Sequence, residues 1–230
     1  MLIPSNFAIR KLRIKMRFSN ILKYINFLVL CSLLSIGCPE KSDAETFDSL
    51  FASAVQEIEE GSVNKGIGIL KKLHGNNYVR ATRALGDIYM HGVGVSKDLV
   101  KASEYYTNSA NLKDAKSIFN LSVIYRDKSF KFYDIAISND LLKQAAKMNV
   151  ARAQTNLGMM YLNEGSEKNH IMKAYIWTYI GNLNGDKNAK ENLKLLNDRI
   201  SDNNRNKYIS VAKLCLKTDF EKCDELYNPI

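Results

Sequence analysis

The residues able to do chemistry in this chain of 230 are few, and their spacing limits what they can do. Cys215 and Cys223 stand eight apart in AKLCLKTDFEKC near the carboxyl terminus. Two thiols at that separation can close a disulfide that staples a helix end to the segment after it, or stay free with one packed in a helix. With no His and no second Cys pair nearby, they are not expected to hold zinc. The three histidines, His74, His91 and His170, are scattered, and none has a Cys or carboxylate at ligand spacing. Glu57, Glu59 and Glu60 form a short acidic run. Such a run suits a solvated helix face, because acid–base catalysis needs two carboxylates held apart in a shaped cleft. Gly92-Val-Gly94 lacks both the preceding strand and the following Lys-Ser/Thr of a phosphate cradle, and no nucleophile elbow, H-E-x-x-H or dinucleotide fingerprint occurs. The sequence therefore reads as a non-enzyme, without cofactor or metal.

With 33 basic and 24 acidic residues the chain carries a formal +9, which taken alone would suggest nucleic acid as a partner. The charge is unevenly placed. Arg10, Lys11, Arg13, Lys15, Arg17 and Lys23 precede residue 38, where no acid stands, and account for six of the nine, leaving +3 for residues 38–230. Nucleic acid is thereby excluded as an expected partner. Behind the basic segment, residues 24–37 read YINFLVLCSLLSIG, short for a membrane span of roughly 20 residues but suited to the core of a signal peptide. Leu34-Ser35-Ile36-Gly37-Cys38 resembles the lipobox of bacterial lipoproteins, with Ser35 where that family usually has Leu. The resemblance implies that residues 1–37 are removed and that Cys38 becomes an acylated first residue. Pro39, which is not Asp, implies sorting to the outer membrane, facing the periplasm. The alternative is an uncleaved amino-terminal anchor. Met16 also stands as an alternative start, since MRFSNILKY supplies a basic leader of its own. Export favours the disulfide between Cys215 and Cys223 over free thiols.

The elements that would position these residues show themselves as an internal repeat. Ala81-Thr-Arg-Ala-Leu-Gly-Asp-Ile-Tyr89 recurs as Ser117-Ile-Phe-Asn-Leu-Ser-Val-Ile-Tyr125 and as Ala153-Gln-Thr-Asn-Leu-Gly-Met-Met-Tyr161, each 36 residues on, with a partial fourth copy at Ala189 and Leu193. Tyr105, Leu141 and Trp177 follow the same period. A period of this length means a solenoid of stacked supersecondary units. Within a unit, Ala81, Leu85 and Tyr89 make an i, i+4, i+8 stripe, so the Leu and Tyr rows are both expected in the core. Gly86 would let a neighbouring helix approach closely. The glycines at 92 and 94 make a loop, Ser96 or Asp98 caps a second helix, and that helix is expected to bury Ala102, Tyr105 and Ala110. After Ile200 a polar break precedes a last helix over 208–217, whose apolar face of Ile209, Ala212 and Cys215 would cover the solenoid's open end.

A-x-x-x-L-G-x-x-Y followed by G-x-G-V-x-x-D-x-x-K-A at residues 81–110 resembles the Sel1-like repeat, a tetratricopeptide-like family; 153–182 matches next best, and 117–146 lacks the loop glycines. Residues 47–74 read as a diverged first unit. The expected fold is an all-α, α/α superhelical solenoid over 47–198, preceded by a flexible tether at 38–46 and followed by a cap at 199–230. The resemblance implies that each first helix lines the concave side and that the protein binds other proteins. Rows of equivalent positions on those helices then form the expected partner face: Arg80, Lys116 and Arg152; Arg83, Phe119 and Thr155; Asp87, Val123 and Met159. From these, Arg80, Arg83, Asp87, Lys116, Phe119, Arg152 and Met159 are the partner-binding candidates. Basic residues at helix starts oppose the helix dipole, which makes the first row the one that asks for a functional reason. Relatives of this kind act as adaptors, envelope regulators or neutralisers of secreted phospholipase-type toxins, so the expected partner is a protein, either a lipase-like effector or an envelope or secretion complex.

Overall fold

A computed structural model describes residues 43–220 and residue 223; the leader, Cys38 and the first residues of the expected tether lie outside the described residues. Residues 1–49 and 50–230 form two compact units. Of the first, residues 43–49 are described, and they are the start of helix α1 (Asp43–Glu59), so the end of the expected tether is helical. The described residues from 50 onward are an all-α solenoid of paired helices closed by a final capping helix. Its helices are α2 (Val63–Gly75), α3 (Val79–His91), α4 (Leu99–Asn111), α5 (Ala115–Arg126), α6 (Ile135–Lys147), α7 (Ala151–Glu164), α8 (Lys168–Leu183), α9 (Ala189–Asn197) and α10 (Asp202–Lys217). Each of α2 to α8 packs on the helix after it in the chain, and both α9 and α10 pack on α8.

The repeat is written most exactly in the backbone turns between units. Asn77, Lys113, Asn149 and Gly185, 36 apart, all lie in the left-handed region, with φ of 57°, 65°, 62° and 89°. Beside them Tyr78 N donates to Leu73 O (3.1 Å), Asp114 N to Ser109 O (3.2 Å), Val150 N to Ala145 O (3.1 Å) and Asp186 N to Gly181 O (2.9 Å). One reversal geometry therefore ends every second helix, satisfying an orphan carbonyl each time. Within pairs, Asp98 caps α4 by accepting from Lys101 N (3.0 Å), and Asp134 caps α6 by accepting from Ala136 N (2.8 Å) and Ile137 N (3.0 Å). Asp98 N and Asp134 N donate in turn to Tyr89 O and Tyr125 O, both at 2.9 Å, so the second unit closes its loop in the same way without the glycines.

Packing inside each pair depends on two facing columns. Gly86 and Gly158 on the first helices meet Tyr106 and Thr178 on the second, and buried Ser122 holds the equivalent place between them, its carbonyl accepting from Ser138 Oγ. A Cβ on Gly86 would lie 2.6 Å from the Tyr106 ring, and one on Gly158 would lie 2.8 Å from Ala174 O. The small residue thus sets how close the two helices come. Leu85, Leu121 and Leu157 are buried, as the repeat requires. Two expectations shift. The buried stripe of α4 is Ala102, Tyr106 and Ser109, an i, i+4, i+7 set, and Tyr105 is only half-buried beside it. Tyr89, Tyr125 and Tyr161 are also half-buried, at the edge of the core. There Tyr89 stacks on Tyr105 at 5.7 Å, Tyr125 meets Phe130 edge-on at 5.4 Å, and Lys173 Nζ lies 5.4 Å from the Tyr161 ring centre.

The last pair is buried on nearly all sides. On α8, Ala174, Tyr175, Ile176, Trp177, Thr178, Ile180 and Gly181 are all buried, so this helix needs cover on its outer side. The cap supplies it: the Trp177 ring stacks on Phe220 at 5.3 Å, and Tyr175 meets Tyr208 at 5.9 Å. The capping helix starts at Asp202, six residues before the expected 208, with Ser201 at its amino end. Cys215 and Cys223 are joined in a disulfide, Cα atoms 5.1 Å apart, and both are buried in the core that runs from Ile118 to the cap. Closing a loop of this length in the unfolded chain corresponds to about 2–3 kcal/mol of stabilisation in the chain-entropy description.

Candidate protein-binding face

The outer surface of the first helices α3, α5 and α7 is built by positions that the pair packing leaves over. Arg80, Lys116 and Arg152 are all exposed, the next column is Ala84, Asn120 and Asn156, and the third is Asp87, Val123 and Met159. Two hollows open between the second and third units. One, of about 540 Å³, lies at the amino-terminal ends of α5 and α7, lined by Lys116, Arg152 and the Arg83–Asp114 pair together with Met148 and Val150. The other, of about 450 Å³, has Val123, Leu142, Met159 and Met160 as its apolar part and Asn156, Asn163, Arg126 and Asp127 as its polar part. Arg126 is held there by its Nε donating to Ser138 Oγ (3.3 Å) and by a contact to Asn139 Oδ1 (2.5 Å).

The expected site residues divide into two groups. Lys116, Arg152 and Met159 do stand on this surface, and among the described residues neither Lys116 nor Arg152 has an ion-pair partner. Arg80 is exposed but committed locally: its guanidinium lies 4.5 Å over the Phe51 ring and contacts Tyr78 OH at 3.2 Å. The row of Arg83, Phe119 and Thr155 turns inward instead. Phe119 is 8% exposed and Thr155 1%, both packed where a first helix meets its neighbours. Phe119 is therefore a core residue and not a surface anchor, in a cluster with Leu142, Ala146, Ala153 and Leu157. Arg83 pairs with Asp114 at 2.6 Å, tying α3 to the cap of α5. Burial alone would raise the Asp114 carboxyl, but hydrogen bonds from Ser117 and the Arg83 guanidinium outweigh it and hold it below the ordinary value. Asp87 accepts from Tyr106 OH (2.5 Å) and Asn120 Nδ2 (3.1 Å), so its carboxylate serves the joint between units.

A second joint is polar throughout and was not foreseen. Gln154, fully buried, donates to Ala146 O (3.0 Å) and Asn149 Oδ1 (3.2 Å), while Asn184 Nδ2 donates to Gln154 Oε1 (2.8 Å) and Asn149 Oδ1 (3.1 Å). Its signal in the sequence was weak, because Thr82 and Ile118 occupy the equivalent places. Among the described residues no group of three His, Cys, Asp or Glu could hold a metal ion, and no helix is long and apolar enough to cross a membrane.

Residues 79–114 and 151–186 match the Sel1 repeat, so two of the helix pairs are similar to Sel1-like, tetratricopeptide-like units. The turns at Asn77, Lys113, Asn149 and Gly185 frame these two stretches and the diverged unit between them. The crystal structure of a Sel1 repeat protein from Oxalobacter formigenes is similar, with a TM-score of 0.57 and 22% identity over 67% of this chain and 62% of that one. The match thus spans less than two thirds of that protein. A protective antigen present in uropathogenic Escherichia coli strains, described as displaying an SLR fold, matches with a TM-score of 0.41 and 20% identity over 80% of this chain and 48% of that one. No curated protein matches the sequence. Repeats of this kind are characteristically non-catalytic and serve as protein-binding scaffolds.

Proposed function

We propose that this chain is a Sel1-like repeat protein serving as a scaffold of the bacterial cell envelope, exported by residues 1–37 and tethered by an acyl chain on Cys38, which captures and neutralises a secreted lipase-like effector on its first-helix face. The observation that carries the proposal is the pairing of two hollows across α5 and α7. Lys116 and Arg152, without ion-pair partners among the described residues, border one; Val123 and Met159 form the apolar part of the other. That arrangement suits a protein segment with a carboxylate at one end and an apolar side chain farther along, while Asn156 and Asn163 offer amides to its backbone. Charges at a rim chiefly speed encounter, whereas the apolar centre governs dissociation. Neutralisation would consist of covering the effector's active site or its docking face.

The test starts with palmitate labelling of wild type and Cys38→Ala, then capture of partners from envelope extract. Binding kinetics follow for Lys116→Glu with Arg152→Glu and for Met159→Ala. The proposal expects a lipase-like partner whose activity falls on binding, slower association with the charge reversals, and faster dissociation with Met159→Ala. A captured envelope enzyme that stays active would overturn neutralisation in favour of an adaptor. A tight partner indifferent to all three substitutions would move the binding face elsewhere.

A further inference from the structure

The loop of the second unit and the start of α6 expose a run of large apolar side chains that no packing in the solenoid explains. Phe132 is 53% exposed, and Tyr133, Ile135 and Ile137 are each above 40%. The run is held out by structure: buried Phe130 is its pivot, meeting Phe132 edge-on at 5.6 Å and Tyr125 at 5.4 Å. Lys128 and Lys131 flank it, both exposed, and Lys131 lies 5.3 Å from the Phe132 ring centre. The adjoining loop of the first unit adds Lys97, and between the two loops lies a hollow of about 390 Å³ with Lys97 and Lys131 on its walls. The nearby acids are engaged with backbone groups. Asp127 accepts from Ser129 N and Oγ, Asp134 caps α6, and Asp98 caps α4 with Lys101 beside it.

We propose that this tip docks on an anionic lipid surface, with Phe132, Tyr133, Ile135 and Ile137 entering the interfacial region and Lys97, Lys128 and Lys131 meeting headgroup phosphates. Aromatic and branched apolar side chains favour the headgroup boundary, and lysines beside them add attraction to anionic lipid. The placement of charge chooses the occupant: Lys97, Lys128 and Lys131 are exposed around the apolar tip and can reach phosphate, while Asp98, Asp127 and Asp134, still ionised, are half-buried and turned onto donors of their own loops. The inference does not depend on acylation of Cys38 or on the first-helix face.

The experiment uses the full chain with Phe132→Trp and vesicles of phosphatidylcholine with or without phosphatidylglycerol, including brominated lipid. Native Trp177 is 1% exposed and supplies a constant background that brominated lipid does not reach. Leu183→Trp, at the carboxyl end of α8 and 50% exposed, is the control at the other end of its helix pair. The expected result is quenching of the F132W signal in anionic vesicles and none from L183W, with Lys128→Gln plus Lys131→Gln lowering partition about thirtyfold there and little in neutral vesicles. An unquenched F132W signal, or equal quenching in both variants, would overturn the proposal. In the first case the tip would be left for a protein partner. In the second, the chain would be held on the membrane by some other part.

Discussion

The hydroxyl of Tyr106 reaches across from α4 to donate to the Asp87 carboxylate on α3 at 2.5 Å, and Asp87 also accepts from Asn120 of the next unit. A fully buried phenol, a first helix and the following repeat thus meet at one carboxylate. Burial first, and then the Asp87 bond, push the Tyr106 hydroxyl far above its ordinary pKa, so it stays a donor throughout the accessible pH range. Asp87→Ala leaves that buried hydroxyl with only the weak thioether acceptor of Met90, at 3.4 Å, and should destabilise the protein by about 1.5–3 kcal/mol. Tyr106→Phe removes donor and demand together, at a smaller cost. Urea denaturation of both variants checks this order, and an equal effect would mean that the bond contributes no more than ring packing.

Acid should weaken the joint between the first and second units. The Asp114 carboxyl has a folded pKa below its unfolded value, which is about 3.9 for Asp. Its contribution is fully present above that value and is lost as pH falls through the depressed folded one. Asp114→Asn should therefore be less stable than wild type at neutral pH, and the gap should narrow below about pH 4. Thermal melts of the two proteins from pH 7 down to pH 2 test it, since a gap independent of pH would remove the Arg83–Asp114 pair from the account.

Lys113 holds the left-handed turn that Asn77, Asn149 and Gly185 hold elsewhere, with φ of 65°. A Lys side chain has no local hydrogen bond to offset that conformation, which costs an ordinary residue roughly 1–2 kcal/mol. Lys113→Asn should accordingly stabilise the chain by about 0.5–1 kcal/mol, read as a higher urea midpoint at unchanged slope. A neutral or destabilising result would mean that the Lys side chain makes a compensating contact.

The repeat, the helix pairs and the cap were legible because identical residues recur at one spacing and because Gly86 and Gly158 mark close helix contacts. The αL positions carried a signal too, Asn, Asn and Gly at one period, but Lys113 at the fourth place hid it. Tyr105 and Tyr106 are the same residue type side by side, and only their spacing from Ala102 and Ser109 selects the second. The binding face was harder to read. Equivalent positions show which residues vary, not which way they point, and the row of Arg83, Phe119 and Thr155 turns toward neighbouring helices while Lys116 and Met159 remain on the surface.

Phe119 is where that difference can be measured. A surface anchor cut back to Ala would leave stability unchanged and speed dissociation of a partner. At 8% exposure, packed in the core with Leu142, Ala153 and Leu157, its loss should instead cost about 3–5 kcal/mol, a large part of a typical domain stability of roughly 5–15 kcal/mol. Phe119→Leu keeps most of the volume and should cost under about 1.5 kcal/mol. Both variants, once corrected for the folded fraction, should bind a partner of the first-helix face at the wild-type rate of dissociation, whereas Met159→Ala should not. Guanidinium denaturation beside the same kinetic measurements decides it: full stability together with faster dissociation in Phe119→Ala would place the ring at the interface and require the packing between the second and third units to be different.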